Sequence, residues 1–265
     1  MHRLAGVILH KAVTNAGPIY VVQDRTGRSL YFGDGPVQGR ILNANPVRPA
    51  LGYVQGMTAF LLFREQVDSV LQVGLGAGAL TRFLLSALPT TLIDVVEAEP
   101  AVVDIARRYF DLPDDPRLRM HIGDGALHVA DAEAPVCDVL LVDAYDAVAM
   151  SPSVSEYAFF AACRERLTSE GIFAINLWNG QADAFAQILS RIDEVFDYQT
   201  LCLPVAGKGN VVVFAFNRAP RPLSVKLLRE RAAVLERHHD IPYMRFLRQL
   251  QSANRPSEGR LSLSR

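Results

Sequence analysis

The stretch VLQVGLGAGALTRFLLSALPTTLIDVVE, residues 70–97, constrains this chain more than any other. Val70, Leu71 and Val73 make the short apolar run of a buried parallel strand. Gly74, Gly76 and Gly78 follow it, and residues 80–88 then carry apolar side chains at helical spacing until Pro89. A second apolar run over 91–96 ends on Glu97. Strand, glycine turn, helix, strand and acid make half of a nucleotide-binding α/β unit. Glycines let the backbone approach a ligand at the helix N-terminus, and the acid can accept hydrogen bonds from both ribose hydroxyls. A tight turn alone would also explain the glycines; the acid favours the nucleoside reading.

The same alternation continues through residues 66–218. Strands are expected at 69–73, 92–96, 118–122, 137–142 and 171–177, and helices at 78–88, 100–109, 124–131, 156–167 and 182–194. The pattern predicts an α/β fold, a doubly wound and mostly parallel sheet with helices on both faces. Segments 198–204 and 210–216 flank Gly207-Lys208-Gly209 and read as an antiparallel hairpin closing the sheet. Residues 1–45 read as a small N-terminal β module, with strands at 7–9, 19–23, 29–32 and 37–41 separated by turn residues. Residues 46–218 are assigned to the ligand-binding domain, against which the apolar helix expected over 51–63 should pack. Residues 219–265 are assigned to helices near 223–238 and 241–251 and a polar tail expected to be disordered.

Half of the 265 residues are hydrophobic, enough for a large core, and the formal charge is −1 with no basic block, which argues against a nucleic-acid surface. No apolar run is long enough to span a bilayer, and the opening segment reads as a strand rather than a signal peptide. Cys137, Cys163 and Cys202 lie far apart, which argues against a disulfide framework or zinc and for a reducing cytoplasm. His238-His239-Asp240 does not read as a metal site, since neighbours on a helix point apart; no metal is expected.

In a doubly wound sheet the ligand lies outside the carboxyl ends of the strands. The acids there are Glu97 and Glu99 after the second strand, Asp124 after the third, and Asp143 and Asp146 after the fourth. Asp124, before Gly125, equally suits a helix cap. Asp143 and Asp146, in LLVDAYDAVAM, sit in a stretch without lysine or arginine, and gathered carboxylates favour a cation such as a sulfonium or protonated amine. The glycines also fit a dinucleotide fingerprint, but an acid-rich mouth repels a pyrophosphate and the closing hairpin is foreign to that fold, so a dehydrogenase is the poorer reading. His121 and His128 read as packed or exposed histidines, Trp178 and Tyr157 as core or pocket wall, and Lys208 as a solvated charge.

The runs VLQVGLGAGAL, VVEAEP, ARRYF, IGDGALHV, DVLLVDAYD and LTSEGIFAINL together resemble the polyamine aminopropyltransferases, the spermidine synthase family, which share the class I methyltransferase fold. The resemblance spans about residues 28–217. It implies transfer of an aminopropyl group from decarboxylated S-adenosylmethionine to a polyamine or other small amine. By that resemblance Gly74, Gly76 and Gly78 form the cofactor turn, Glu97 holds the ribose, and Asp124 with Gly125 faces the adenine. Asp146 matches the family's catalytic aspartate and Asp143 the acid three residues before it, while Tyr53 and Gln38 match the tyrosine and glutamine from before the turn. The loop 144–154 would act as a lid. The family's turn usually carries an aspartate that contacts the aminopropyl amine; Ala77 stands there, which implies a weaker preference for the decarboxylated donor. The loop after Asp146 departs from the family as well, and a tyrosine expected near the end of the sheet is missing. Two other readings stay open: a methyltransferase using S-adenosylmethionine itself, and a catalytically silent adenosyl-binding protein. A homodimer is expected, because the β module has little core of its own and the apolar helix over 51–63 would offer a partner surface.

Overall fold

Antiparallel strands β1 (Val7–Thr14), β2 (Gly17–Gln23), β3 (Gly27–Phe32) and β4 (Val37–Leu42) open the chain as a meander in that spatial order. The structure is a computed structural model that describes residues 6–14, 17–144, 152–207, 209–218 and 224–254. Helix α1 (Gly52–Met57) follows and continues as a 3-10 turn over Thr58–Leu62. The central sheet is built from β5 (Ser69–Val73), β6 (Leu92–Glu97), β7 (Leu118–Ile122), β8 (Cys137–Val142), β9 (Leu167–Trp178), β10 (Thr200–Pro204) and β11 (Asn210–Phe216). Its order is β10-β11-β9-β8-β5-β6-β7, with β11 running opposite to the other six strands. This is the doubly wound sheet with a closing hairpin, in the order of the class I methyltransferase fold. Helices α2 (Ala79–Ala87), α3 (Pro100–Tyr109), α4 (Gly125–Val129), α5 (Tyr157–Glu165) and α6 (Ala182–Val195) form the crossovers.

Two expectations about these elements need correction. Strand β9 begins at Leu167 rather than at 171, since Leu167 pairs with Cys137 before the register slips. The Asn217 amide ties the start of this strand to the end of β11 by donating to the Leu167 and Thr168 carbonyls at 3.3 and 3.0 Å. The segment 51–63 also offers no partner surface: residues 54–62 are buried within this chain. Gly52 and Gly56 bring α1 onto Val205, Leu203 and Val212 of the β10–β11 hairpin.

Apolar side chains of β2, β3 and β4 (Val21, Leu30 and Ile41) join Phe60, Val95, Val139 and Phe214 in one core on that face of the sheet. The other face buries Phe160, Phe173 and Phe196 under α5 and α6. Helices α7 (Val225–His239) and α8 (Tyr243–Ala253) add Leu228, Tyr243, Phe246 and Leu250 to the first core. Buried Tyr243 shares a 2.9 Å hydrogen bond with Thr58. Among the described residues no helix is long and apolar enough to cross a membrane.

Candidate active site

The strand order reverses at β5, which lies between β6 and β8, and such a reversal opens a crevice at the carboxyl ends of the strands. Gly74 leaves β5 at that point with φ +91, and a Cβ on it would fall 2.3 Å from the Asp143 carbonyl oxygen. Only glycine satisfies both the conformation and the contact. The Asp143 amide in turn donates to the Val73 carbonyl at 2.9 Å, so the glycine turn and the end of β8 form one unit.

Side chains fix the turn from several directions. Gln72 Nε2 donates to the Gly74 carbonyl at 2.7 Å, and Thr81 Oγ1 donates to Gln72 Oε1 at 3.0 Å. Buried Arg82 donates to the carbonyls of Ala77 at 2.7 Å, Phe110 at 2.5 Å and Pro46 at 3.2 Å. Burial lowers this guanidinium to about 10, so it stays charged at neutral pH. Strand β4 closes over the turn: a Cβ on Gly39 would lie 2.4 Å from Ala77 Cβ.

Glu97 ends β6 beside the turn and accepts from the amides of Leu75 at 2.9 Å and Glu99 at 3.0 Å. Burial raises its carboxyl above the ordinary range, and the surrounding amides pull the other way. Asp143 is half-buried, and desolvation pushes its carboxyl up to about 6, opposed by hydrogen bonds from Asn176 and Tyr53. Asn176 Nδ2 donates to Asp143 Oδ1 at 3.0 Å, and Asn210 Nδ2 donates to Asn176 Oδ1 at 3.0 Å. The Tyr53 hydroxyl also lies 3.2 Å from the Gln38 carbonyl, so Tyr53 of α1 stands between β4 and the carboxylate.

The fold thus gathers Gly74, Gly76, Glu97, Asp143, Tyr53 and the Gln38 backbone at the glycine turn, and Gly78 is the N-cap of α2 that leaves it. Asp124 caps α4, accepting from the Leu127 amide at 3.0 Å, and its second oxygen takes a weak bond from Ser153 at 3.4 Å. Gly125 lets α4 close on β5, because a Cβ there would meet Val73 at 2.4 Å. Glu99 is the cap of α3. Asp146 and Lys208 lie outside the described residues, as do the polar tail and most of the loop assigned as a lid. His121 bonds Asp94 at 2.7 Å and packs on His128, with ring centroids 4.6 Å apart. Trp178 and Tyr157 are half-exposed. His239 packs edge-on against Phe83, and among the described residues no cluster of three or more His, Cys, Asp or Glu is arranged to hold a metal.

Sequence reasoning missed Gln72, Arg82, Asn176 and Asn210. The first three carried a signal, since they interrupt apolar runs (VLQV, LTRFLL, FAINL) and a polar side chain buried in such a run needs a partner; Asn210, at a strand start, carried none.

The family model for the spermine/spermidine synthase domain matches residues 53–223. The chain belongs to this family. The polyamine aminopropyltransferase of Chromobacterium violaceum is 30% identical over 251 residues, covering 94% of this chain and 95% of the relative. Human methyltransferase-like protein 13, solved in complex with SAH, superposes with a TM-score of 0.66 at 27% identity over 72% of this chain and 93% of its own. A spermidine synthase solved with the transition state analogue AdoDATO shares the fold, with a TM-score of 0.66 at 19% identity over 80% of this chain and 74% of its own. As a spermine/spermidine synthase family member the chain is a transferase. The matched span holds the glycine turn, Glu97, Asp143, Asn176 and Asn210 but not β4, whose Gln38 and Gly39 nevertheless meet the site.

Proposed function

We propose that this chain transfers an aminopropyl group from decarboxylated S-adenosylmethionine to a small amine. The observation that carries this reading is the Asp143 carboxylate, half-buried beside the glycine turn and bonded by the neutral groups Asn176 and Tyr53. An anion in that setting draws in a cation. In the reaction the acceptor nitrogen attacks the methylene carbon next to the sulfonium. The N–C bond forms as the C–S bond breaks, the electron pair leaves on sulfur, and methylthioadenosine departs. The attacking amine must first lose a proton, because an ammonium has no lone pair with which to form the new bond. Asp146 is assigned to orient the amine and accept that proton, directly or through water, while Asp143, ionised at neutral pH with its carboxyl near 6, adds the negative potential that draws the amine in beside Tyr53. Glu97 is assigned to the ribose hydroxyls from its place at the end of β6, bonded to the Leu75 amide of the glycine turn. Asp124 and Gly125 are assigned to the adenine, and Gly74, Gly76, Gly78 and Gln38 to the rest of the donor.

Calorimetry with methylthioadenosine tests this assignment. Glu97→Ala is expected to cost about 2–4 kcal/mol of binding. Unchanged affinity in a folded variant rules the ribose role out.

Methyl transfer from S-adenosylmethionine is a second reading favoured by one observation. The turn offers Ala77 rather than a carboxylate to a donor ammonium, and that side chain is buried under Gly39. Comparing the affinities of S-adenosylmethionine and its decarboxylated form separates the two readings.

A homodimer and a cytoplasmic location complete the proposal. Edge strand β1 exposes Val7, Ile8, Leu9 and Val13, a more plausible contact than the buried α1. A monomeric mass by light scattering at micromolar concentrations contradicts the dimer.

A further inference from the structure

Asn210 begins β11, opposite Trp178 of β9 and directly after the hairpin loop, and reaches Asp143 only through Asn176. A carboxylate can only accept, so Asn176 must present its NH2 group to Asp143. Its carbonyl oxygen then faces Asn210, which must present an NH2 group in turn. The direction of the whole chain follows from the ionised carboxylate at its end. With Asn210 removed, nothing in this chain of bonds opposes rotation of the Asn176 amide, which would turn its oxygen toward Asp143. That orientation suits only a protonated carboxyl. Asn176 is itself 2% exposed, so water has little access to replace the lost donor.

We propose that Asn210 is a positioning residue, which locks the Asn176 amide so that Asp143 is held as a hydrogen-bond acceptor for the incoming amine. The inference rests on the proposed aminopropyl transfer for its purpose but not for its geometry. Among the described residues, the groups that act on Asp143 are Asn176 from β9 and Tyr53 from α1; Glu97 and Arg82 bond the glycine turn instead. Tyr53 has a single hydroxyl proton for Asp143 and the Gln38 carbonyl, so it cannot replace the Asn176 donor without giving up β4.

The test is the ionisation of Asp143, read from carbon-13 carboxyl resonances of aspartate-labelled protein and assigned by the signal lost in Asp143→Asn. In Asn210→Ala the midpoint is expected to rise by about one pH unit, a tenfold change in the ionisation equilibrium. Asn210→Ser, too short to reach Asn176, is expected to do the same and serves if the alanine variant does not fold. In both, the acid limb of the rate profile for aminopropyl transfer should move with the carboxyl. A folded Asn210→Ala or Asn210→Ser protein that titrates like wild type overturns the proposal. If the carboxyl moves as expected but no form of the protein, wild type included, transfers an aminopropyl group, Asn210 keeps its role and the proposed function falls.

Discussion

At Asp143 the needs of the fold and of the chemistry oppose each other. Its folded value of about 6 lies above the ordinary 3.8, so folding favours the neutral form. The stability this gives is full below pH 3.8 and is lost as pH rises through 6. The loss is about 3 kcal/mol. Asp143→Asn is therefore expected to melt higher than wild type at pH 8 and close to it near pH 4, while losing turnover. Equal melting temperatures at pH 8 would mean that burial does not strain this group. Arg82 shows the reverse case, a buried cation that repays its desolvation through the carbonyls of Ala77, Phe110 and Pro46. Arg82→Met should cost about 2–4 kcal/mol in urea titrations, because it leaves those carbonyls without their donor.

Among the elements, β4 and the glycine turn depend on each other through Gly39 and Ala77. Gly39→Ala is expected to destabilise the protein by about 1–3 kcal/mol and to weaken methylthioadenosine binding, since its Cβ would push the turn away from β4. Ala77→Asp meets the same obstacle, so it should lower stability rather than simply add a carboxylate to the donor site. A fully stable Ala77→Asp protein would show that β4 yields easily. This contact was not legible in the sequence: GLGAGAL reads as a flexible turn, and nothing in PVQGRIL says that Gly39 lies over it. The strands and crossover helices themselves were legible, because alternating apolar runs and turn residues carry their own periodicity.

Across the whole molecule, α7 and α8 belong to the core that also underlies the site. Tyr243, Phe246, Leu247 and Leu250 pack with Phe60 and Leu203, and Asn254 brackets the Cys202 backbone with bonds of 2.9 and 2.8 Å. Deleting residues 219–265 is expected to give an insoluble or non-cooperatively unfolding protein, checked by denaturant titration of the shortened chain. Cooperative unfolding at the wild-type midpoint would show that the helices are an appendage. The sequence reading of 219–265 as a separate unit could not anticipate this packing, since amphipathic helices announce an apolar face but not its partner.

Local patterning by itself determined the order of strands and helices, the glycine turn at Gly74, and the placing of Glu97 and Asp143 at strand ends. These rest on short-range periodicity and on the topology of parallel crossovers, both written along the chain. Tertiary structure alone decided that 54–62 is buried rather than shared, that Ala77 faces Gly39, and that Asp143 is held by Tyr53 and by Asn176, which Asn210 bonds in turn. Those contacts join residues far apart in sequence. Their energies come from burial and from hydrogen-bond partners that exist only once the sheet has assembled.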